Sequence, residues 1–544
     1  MTAPSHPPSP QPAADHVVAD QGAVFAFLAD PATHGIPGPV DRIDTHGAAV
    51  FLAGPFAYKV KRAVLFPFMD FSTLEKRRAA CAAEVAISGP GAPGLYLGVV
   101  PIVRTPAGLA LGGVGEVVEH AVKMRRFDTS LTLDKVAGRG ALSSELVKAL
   151  ATAVVTAHAA APIARGFDTA TRLGAYVADN TKEFSARPEL FPPQDVARLA
   201  QLSQDALAVI TPLMKARSDA GFVRRCHGDM HLRNIVLLDG RPVLFDAIEF
   251  NDDIATCDVL YDLAFLLMDL WQEGLTRQAN AVFNRYLWAS DDAQLDGLKA
   301  LPFFLSLRAG IRAKVEAAGL SHLAGEKRAQ AERRVCGELA QALRFADVEA
   351  PPSRTVASFT GNTIWPCAAP HRPTLCAVGG LSGSGKSTWA ANMADSFGRA
   401  PGAVIVRSDI ERKRLFGVAE TEKLPPAAYT PEAGERVYER LRTLARRVLA
   451  TGYSVIVDAV HARPGERDAI EVVAQEADAR FYGLWLDVPE AELIRRVEAR
   501  TGDASDADAA VVRHQLAYDL GDIRWQRHTM DVISMAPCPA PPSD

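Results

Sequence analysis

Apolar and polar positions follow two different patterns along the chain. Before about residue 345, strand-like apolar runs come first and long helical patterns follow them, whereas beyond residue 373 short apolar runs alternate with helical segments. Strands followed by helices are typical of an α+β domain, and regular alternation is typical of an α/β domain with a parallel sheet. The pattern therefore predicts two domains of different fold class.

The region between these halves has the composition of a linker. Residues 346–373 contain five prolines and no hydrophobic period, and they follow a long charged helical pattern. Residues 1–20 are Pro-rich and polar and lack the basic start and apolar core of a signal peptide, so we interpret them as a disordered tail. We predict a first domain over residues 21–345 and a second over residues 374–544.

Residues 224–250 place several polar side chains around a predicted hairpin. The apolar runs IVLL and PVLF are separated by Asp-Gly, which is the strongest local hairpin signal. Asp229 precedes Asn234 by five residues, and the hairpin returns Asp246 to the neighbourhood of Asn234. Protein kinases arrange a catalytic Asp, a metal-binding Asn and a second metal-binding Asp in this order. The alternative is a polar loop whose Asp and Asn residues only form turns and caps.

An earlier strand and helix supply further charges of the kind that kinases use. The segment FAYKVKRAV is a predicted strand with Lys59 and Lys61 on one face, and a predicted helix begins near Ser72, a plausible N-cap, and runs through Glu84. A kinase needs a strand Lys that contacts the ATP phosphates and a helix Glu that holds this Lys. We predict that Lys59 and Glu84 form this pair, although a lone Lys and Glu are more often solvated charges.

Two more predicted strands, LYLGVVPIV and GEVVEHAVKMRRF, complete the first group. The second strand ends near Lys123 and Met124, where the hinge between two lobes would donate backbone hydrogen bonds to adenine. Met124 is equally consistent with an ordinary core residue.

These segments together resemble the aminoglycoside phosphotransferase family, over residues 50 to about 345. The resemblance is carried by YKVK, the Glu84 helix, VKMRRF, HGDMHLRN, and FDAIEF followed by CDVLYDLAFL. It implies a bilobal protein-kinase-like fold and ATP-dependent phosphorylation of small-molecule hydroxyls. The roles that it implies are as follows: Asp229 as catalytic base, Asn234 and Asp246 as magnesium ligands, Lys59 on the ATP phosphates, His227 as a brace, His231 and Glu249 lining the site, and Asp262 as a buried anchor of the catalytic loop.

The chain departs from the protein-kinase pattern in two places. No G-x-G-x-x-G precedes Lys59, and DAIEF lacks the glycine of D-F-G. Related small-molecule kinases also lack both features, so we do not interpret the domain as inactive. The catalytic core does not specify the acceptor.

The second half begins with the most specific motif in the chain. The sequence G-x-x-x-x-G-K-S runs from Gly380 to Ser387 between an apolar strand and a helix. In such a loop the backbone N–H groups surround phosphates, the Lys reaches the terminal phosphates and the Ser ligates magnesium. A flexible Gly/Ser linker would not be bracketed in this way. The predicted nucleotide contacts are Gly380, Ser382, Gly383, Ser384, Gly385, Lys386, Ser387 and Thr388.

Two later strands bring acids to the same predicted site. One ends at Arg407, Ser408 and Asp409, and another ends at Asp458. Because ligands bind at the carboxyl ends of the strands in open α/β sheets, we expect Asp409, Asp458 and Lys386 to converge.

This half resembles the small P-loop kinases of the gluconate kinase and zeta-toxin type. The resemblance implies that Asp409 is the catalytic base, that Asp458 helps to hold magnesium, and that Arg496 and Arg500 belong to a mobile lid. For the two arginines, a solvated helix face is an equally good interpretation.

Composition excludes several other classes. The 544 residues are 48% hydrophobic, enough for two to four domains with real cores. The net charge of −5 gives no basic excess for nucleic-acid binding, and no apolar run is long enough to predict a membrane span. Seven scattered cysteines without a C-x-x-C pair indicate reduced thiols and a cytoplasmic location.

The order of the halves also resembles proteins described as bifunctional aminoglycoside phosphotransferase/ATP-binding proteins, over nearly the whole chain. We therefore predict an ATP- and magnesium-dependent kinase with one site per domain, acting on hydroxyls of small molecules. The alternatives are an ATP-driven switch with a ligand-sensing first domain, and a zeta-toxin-like kinase acting on a nucleotide sugar. The sequence leaves the acceptors, the coupling of the domains and the oligomeric state open.

Overall fold

Apolar residues that alternate with polar ones build an antiparallel sheet in the first part of the chain. The computed structural model describes residues 16–66, 69–347, 372–500 and 502–529. The first strands in chain order are β1 (Asp41–Asp44), β2 (Ala48–Ala53), β3 (Phe56–Lys61), β4 (Leu65–Phe66), β5 (Met69–Asp70), β6 (Tyr96–Thr105), β7 (Gly108–Leu111) and β8 (Glu116–Arg125). Six of them form one sheet in the order β1-β2-β3-β8-β6-β7, and β4 pairs with β5.

Short helices α1 (Gly22–Ala29) and α2 (Pro31–His34) precede this sheet, and α3 (Leu74–Ser88) packs against it. The N-cap of α3 is Thr73, whose hydroxyl accepts from Lys76 N at 3.3 Å, and not Ser72 as predicted. Residues 16–20, which the sequence assigned to the tail, include Val18, whose N–H donates to Ala63 O at 2.9 Å.

A helical region follows and carries the predicted hairpin. Its helices are α4 (Leu133–Gly138), α5 (Ser144–Ala160), α6 (Thr169–Ser185), α7 (Pro193–Asp219), α8 (Asp252–Ala255) and α9 (Val259–Gln272), with α12 (Leu301–Gly319) and α13 (Gly325–Ala346) later in the chain. Its strands are β9 (Val223–Arg225), β10 (Ile235–Leu238), β11 (Arg241–Leu244) and β12 (Thr256–Asp258). The β10–β11 hairpin is confirmed, with Ile235 opposite Leu244. Its Asp239-Gly240 turn has φ of 50° and 76°, values that suit a tight hairpin turn.

The last part of the chain is an α/β layer structure. Its strands are β13 (Thr374–Gly379), β14 (Val404–Arg407), β15 (Val455–Asp458), β16 (Arg480–Asp487) and β17 (Gln526–Thr529), and its helices are α14 (Lys386–Met393), α15 (Ser408–Phe416), α16 (Pro431–Ala450), α17 (Pro464–Glu476), α18 (Glu490–Glu498) and α19 (Ala509–Leu516). The five strands are all parallel, in the order β14-β15-β13-β16-β17. The predicted fold classes, kinase-like α+β and then P-loop α/β, are confirmed.

The described residues form two compact units, and the predicted domain limits stay a prediction. The kinase-like unit contains the described residues up to Glu273 and Phe304–Leu343, and the P-loop unit contains Gly274–Phe303 and the described residues from Arg344 onward. The segment Gly274–Phe303, with α10 (Thr276–Ala289) and α11 (Gln294–Gly297), thus lies in the P-loop unit, although the sequence placed it in 21–345. The linker 346–373 lies almost wholly outside the described residues, so its limits stay a prediction. Every helix in the described ranges is too short or too polar to cross a membrane.

One buried acid in the kinase-like unit makes the stability sensitive to pH. Glu338 of α13 is fully buried, and this burial, with the nearby Glu316, raises the pKa of Glu338 to about 7. A hydrogen bond from Gln272 at 3.1 Å and the charge of Arg312 oppose only part of this shift.

We therefore expect Glu338 to lower the stability of the folded state as pH rises from its unfolded-state pKa near 4.5 to about 7, because the folded chain binds the extra proton in this window. Glu338→Gln should raise the thermal midpoint at pH 8, and its advantage should shrink toward pH 4.5. Thermal unfolding across this range checks it, with the exposed Glu326→Gln as control. A variant less stable than the parent at pH 8 would contradict the burial argument.

Candidate active sites

A cluster of charged side chains joins β3 to α3 and to the segment after the hairpin. Lys59 Nζ lies 2.8 Å from Glu84 Oε1 and also contacts the Asp246 carboxylate. Lys61 Nζ lies 2.6 Å from Glu84 Oε2 and also contacts Glu249. Burial alone would raise the pKa of Glu84, but the two ammonium groups lower it to about 2. The structure thus brings together the predicted Lys59, Glu84 and Asp246, while their roles toward ATP stay predictions.

Lys61 is a second lysine in this cluster that the sequence did not single out. Its position on the same face as Lys59 was visible in the strand pattern, but the pattern does not show which lysine reaches the helix. In the structure both reach Glu84, and Lys61 is almost fully buried. Burial lowers the pKa of Lys61 by itself, but Glu84 and Glu249 outweigh this effect, so the pKa lies above its usual value. Lys61 therefore stays charged and neutralises two acids.

The loop of residues 227–234, predicted to be catalytic, places Asp229 beside Asn234. Asn234 Nδ2 donates to both the backbone oxygen and the Oδ2 of Asp229, each at 3.0 Å. This geometry leaves the Asn234 Oδ1 free of the Asp229 contact and suited to ligate a cation. Burial alone would raise the pKa of Asp229, but the hydrogen bond and charge of His231, with the charge of His227, hold it below its usual range. Asp229 is therefore ionised at neutral pH, and 40% of its side-chain surface stays accessible.

Two buried acids of α9 accept hydrogen bonds from backbone N–H groups of this loop. Asp262 accepts from Gly228 N at 2.8 Å, from His227 N at 3.3 Å and from His158 Nε2 at 3.1 Å. Further along the same helix, Asp269 accepts from Leu232 N at 2.8 Å. Asp262 is thus the predicted loop anchor.

The segment around Asp246 has an unusual backbone. Asp246 has φ of 62°, a left-handed value that is uncommon for a non-glycine residue, and its N–H donates to the Tyr96 hydroxyl at 3.0 Å. His227 Nε2 lies 2.9 Å from Phe245 O, so the predicted brace contacts the residue before Asp246. Tyr96 has no recognisable sequence signal, because only the fold brings β6 next to the hairpin's end.

β8 ends at Arg125, directly after Lys123 and Met124, so the predicted strand end near these two residues is confirmed. Lys123 is paired with Tyr58 and Met124 with Ala57, and β6 lies on the other side of both. Met124 is buried in the core, and Lys123 Nζ lies 4.0 Å from the centroid of the Phe56 ring. The adenine contacts of their backbone groups stay a prediction.

The second site is the loop between β13 and α14. Gly380, Gly383 and Gly385 have φ of 140°, 86° and 94°, which side-chain-bearing residues rarely adopt. A Cβ at Gly380 would lie 2.7 Å from Ser384 Oγ, and one at Gly383 would lie 2.7 Å from Leu493 O. The loop therefore needs glycine at these positions for its backbone to turn inward.

Other members of the loop have distinct environments. Ser382 N donates to Gln515 Oε1 at 2.8 Å, Ser384 is buried, and Thr388 is exposed on the first turn of α14. Lys386 Nζ donates to the carbonyls of Gly380 and Leu381 at 2.8 and 3.0 Å. Burial lowers the pKa of Lys386, although the charges of Asp458 and Asp409 oppose the shift.

Acids and an arginine meet at the carboxyl ends of β14 and β15. Ser387 Oγ donates to Asp458 Oδ2 at 2.6 Å. Arg407 Nε lies 3.5 Å from Asp458 Oδ2, and Arg407 Nη2 lies 3.9 Å from Asp409 Oδ2 and 2.5 Å from Asp503 Oδ1. Burial raises the pKa of Asp458, although Arg407 and Lys386 oppose the shift. Asp409 and Asp458 therefore converge as expected, with Arg407 as the bridge.

The sequence named Arg407 only as the end of a strand, and it did not single out Asp503. The two predicted lid arginines differ in their surroundings. Arg500 Nε lies 4.0 Å from Asp503 Oδ2, which places it beside the Arg407 bridge, whereas Arg496 Nε donates to Glu492 Oε1 at 2.6 Å on its own helix.

Both sites fit a phosphate chain with a divalent cation. Mg²⁺ prefers hard oxygen ligands, which Asn234 and Asp246 offer in the first site and Ser387 and Asp458 in the second. Each site also holds a lysine ammonium: Lys59 among carboxylates and Lys386 among carbonyl oxygens. Among the described residues, the Lys386 ammonium donates to carbonyl oxygens, and the carboxylates of Asp458 and Asp409 lie near enough to act on its charge.

Comparison with known families indicates an ATP-dependent phosphotransferase of the small-molecule kinase class. Residues 98–298 match the phosphotransferase enzyme family, and residues 375–519 match the AAA domain family. The chain thus carries a phosphotransferase-family segment followed by a P-loop segment, which confirms the predicted order.

Its relatives include two mycobacterial proteins. The uncharacterized proteins Rv2004c of Mycobacterium tuberculosis and Mb2027c of Mycobacterium bovis are each 28% identical to it over 494 residues, which is 89% of this chain and 91% of the relative.

Several solved structures are also similar. A choline/ethanolamine kinase family protein from Mesorhizobium loti is 18% identical and covers 59% of this chain and 97% of its own, with a TM-score of 0.36. A sugar kinase from Janibacter sp. HTCC2649 is 20% identical and covers 30% of this chain and 87% of its own, with a TM-score of 0.23. A gluconokinase from Sinorhizobium meliloti is 20% identical and covers 30% of this chain and 85% of its own, with a TM-score of 0.22.

The two-lysine cluster generates a stability prediction. Lys61→Met should destabilise the protein by about 3 kcal/mol, because it leaves the buried Glu249 without its cation and Glu84 with only one. Adding Glu249→Leu should recover much of this loss, because a buried pair replaced by apolar residues can be neutral. Urea unfolding of both variants measures the effect. Equal losses in the single and double variants would show that Lys61 does not stabilise through charge pairing.

Proposed function

We propose that the chain is a bifunctional ATP- and magnesium-dependent kinase that transfers the γ-phosphoryl group to hydroxyls of small molecules, with one active site in each unit. One feature shared by both units carries the proposal. Each unit contains a lysine for the phosphates, two side chains with oxygen ligands for magnesium, and an acid suited to orient the acceptor hydroxyl.

In the kinase-like unit, Asp229 accepts the hydrogen bond of the acceptor hydroxyl and takes its proton as the phosphoryl group transfers. Its lowered pKa keeps it ionised at neutral pH, and its contact with Asn234 fixes its direction. Lys59, held by Glu84, contacts the phosphates of ATP. Asn234 and Asp246 hold Mg²⁺, which supplies charge neutralisation for the phosphates.

In the P-loop unit, the glycine-rich loop and Lys386 bind the phosphates. Ser387 and Asp458, already 2.6 Å apart, hold the magnesium ion. Asp409 orients the acceptor hydroxyl from the first turn of α15, and Arg407 and Arg500 bring positive charge beside it. The arrangement of acid, lysine and arginine around one point suits phosphoryl transfer, in which positioning and charge stabilisation are the main contributions.

A substrate screen tests the proposal as a whole. The purified protein with ATP and magnesium is offered sugars, aminosugars, nucleosides and aminoglycosides, and both ADP release and phosphorylated products are measured. Phosphorylated products support the kinase. Steady ATP turnover that yields no phosphorylated small molecule across the panel would contradict it and favour an ATP-driven switch.

The P-loop makes a first specific prediction. Lys386→Ala should remove nucleotide binding from the P-loop unit and leave the fold intact, because this side chain contacts loop carbonyls and little core. Isothermal titration of the full-length protein with a non-hydrolysable ATP analogue should then lose one binding event. The exposed Lys423→Ala is the matched control. Unchanged titration of the Lys386 variant would show that Gly380 to Ser387 does not bind the phosphates.

The kinase-like unit makes a second prediction, tested in a Lys386→Ala background so that the other site is silent. Asp229→Asn should keep ATP–magnesium affinity and reduce transfer by at least about 100-fold, because the amide keeps the shape and loses the base. Asp246→Asn should weaken both together, because a neutral oxygen replaces a charged metal ligand. Binding is measured by titration and transfer with the acceptor found in the screen. Transfer by Asp229→Asn at the unmutated rate would show that HGDMHLRN is only a structural loop.

A further inference from the structure

The edge of the P-loop sheet is covered by a helix that the sequence places among the phosphotransferase residues. β14 is the outermost strand on one side of the sheet and pairs only with β15 among the described strands. An edge strand leaves every second residue's N–H and C=O without a partner strand. In the same unit, α10 lies along this edge.

Three side chains of α10 bind the outward backbone groups of β14. Asn284 Nδ2 donates to Ala403 O at 3.1 Å, and Asn284 Oδ1 accepts from Ile405 N at 2.6 Å. Trp288 Nε1 donates to Ile405 O at 2.8 Å. Asn280 Nδ2 donates to Ala403 O at 3.1 Å and to Pro401 O at 3.0 Å.

These residues are spaced by four along the helix, so they form one row on its surface. The row binds one outward backbone N–H and the outward backbone carbonyls of successive positions. A neighbouring strand would bind the same groups. Asn280 and Asn284 are almost fully buried, so their amides are committed to these contacts. A glycine at position 402 permits the close approach, because a Cβ there would lie 2.8 Å from Asn280 Nδ2.

The residues after α10 contact α15, the helix that follows β14 in the chain. Arg414 of α15 donates to Ser290 O at 2.7 Å and lies 3.0 Å from Asp292 Oδ1. Asp292 Oδ2 lies 2.8 Å from Arg440 of α16, and Arg440 also contacts the buried Glu411 of α15. The segment Gly274–Phe303 therefore contacts both β14 and α15.

The junction of β14 with α15, which carries Arg407 and Asp409, lies between these two sets of contacts. We infer that the segment Gly274–Phe303 is a structural part of the P-loop unit that substitutes for a neighbouring strand, and that Asn284 is a positioning residue for this junction. The inference goes beyond the proposed function, because it concerns the placement of β14 whether or not the unit transfers phosphate.

Hydrogen exchange of the full-length protein tests the inference directly. Asn284→Ala should raise the exchange rate of amides in residues 403–410 by at least about tenfold, because Ile405 N–H loses its acceptor. Amides of β13 should keep their protection, since β15 and β16 flank that strand on both sides. Trp288→Phe, which keeps an aromatic ring and loses the donor, should give a smaller change in the same residues. Gln278→Ala, on α10 but outside the row, is the control.

Unchanged exchange in residues 403–410, or an equal rise in all five strands, would overturn the inference. Trp288→Phe provides the same test should Asn284→Ala fold poorly. If the P-loop unit transfers phosphate, Asn284→Ala should lower kcat and leave the KM for ATP within about twofold, because the P-loop follows β13 and not β14; a rise in KM with kcat unchanged would overturn the positioning role. Absence of any transfer in the unmutated protein would contradict only the proposed function, since the exchange result stands apart from it.

Discussion

The need to neutralise buried charge determines where both candidate sites lie. A carboxylate or ammonium taken out of water is costly unless an opposite charge or several hydrogen bonds accompany it. In the kinase-like unit, Glu84 is fully buried and depends on Lys59 and Lys61, which tie β3 to α3. In the P-loop unit, buried Asp458 depends on Ser387 and Arg407. Two of the groups that satisfy these charges, Lys59 and Ser387, are among those that we propose for the ATP phosphates and magnesium.

The two sites differ in how much of this neutralisation is internal. The first cluster pairs its lysines with carboxylates. In the second site, Lys386 donates hydrogen bonds to carbonyl oxygens, which carry no full negative charge. The direct contacts of Lys386 therefore neutralise its charge less than the carboxylate pairs neutralise Lys59 and Lys61.

Local motifs were predictable from the sequence, and long-range partners were not. The Asp229–Asn234–Asp246 set and the Gly380 to Ser387 loop depend on short spacings and turn residues, which can be recognised directly in the sequence. Lys61 was not distinguished from its neighbour, because a strand pattern shows the face but not the partner. Similarly, the Pro-rich composition of residues 346–373 marks a boundary without showing which helices on either side of it pack together. The sequence therefore assigned α10 to the first domain, and cutting the chain at the linker would separate β14 from the helix that binds its edge.

The central claim is that each unit holds its own ATP site, and binding stoichiometry tests it most directly. Equilibrium dialysis of the full-length protein with a non-hydrolysable ATP analogue and magnesium should give two nucleotides per chain. The combined Lys59→Met and Lys386→Ala variant, checked for folding by circular dichroism, should give none. One nucleotide per unmutated chain, or two retained in the combined variant, would contradict the account.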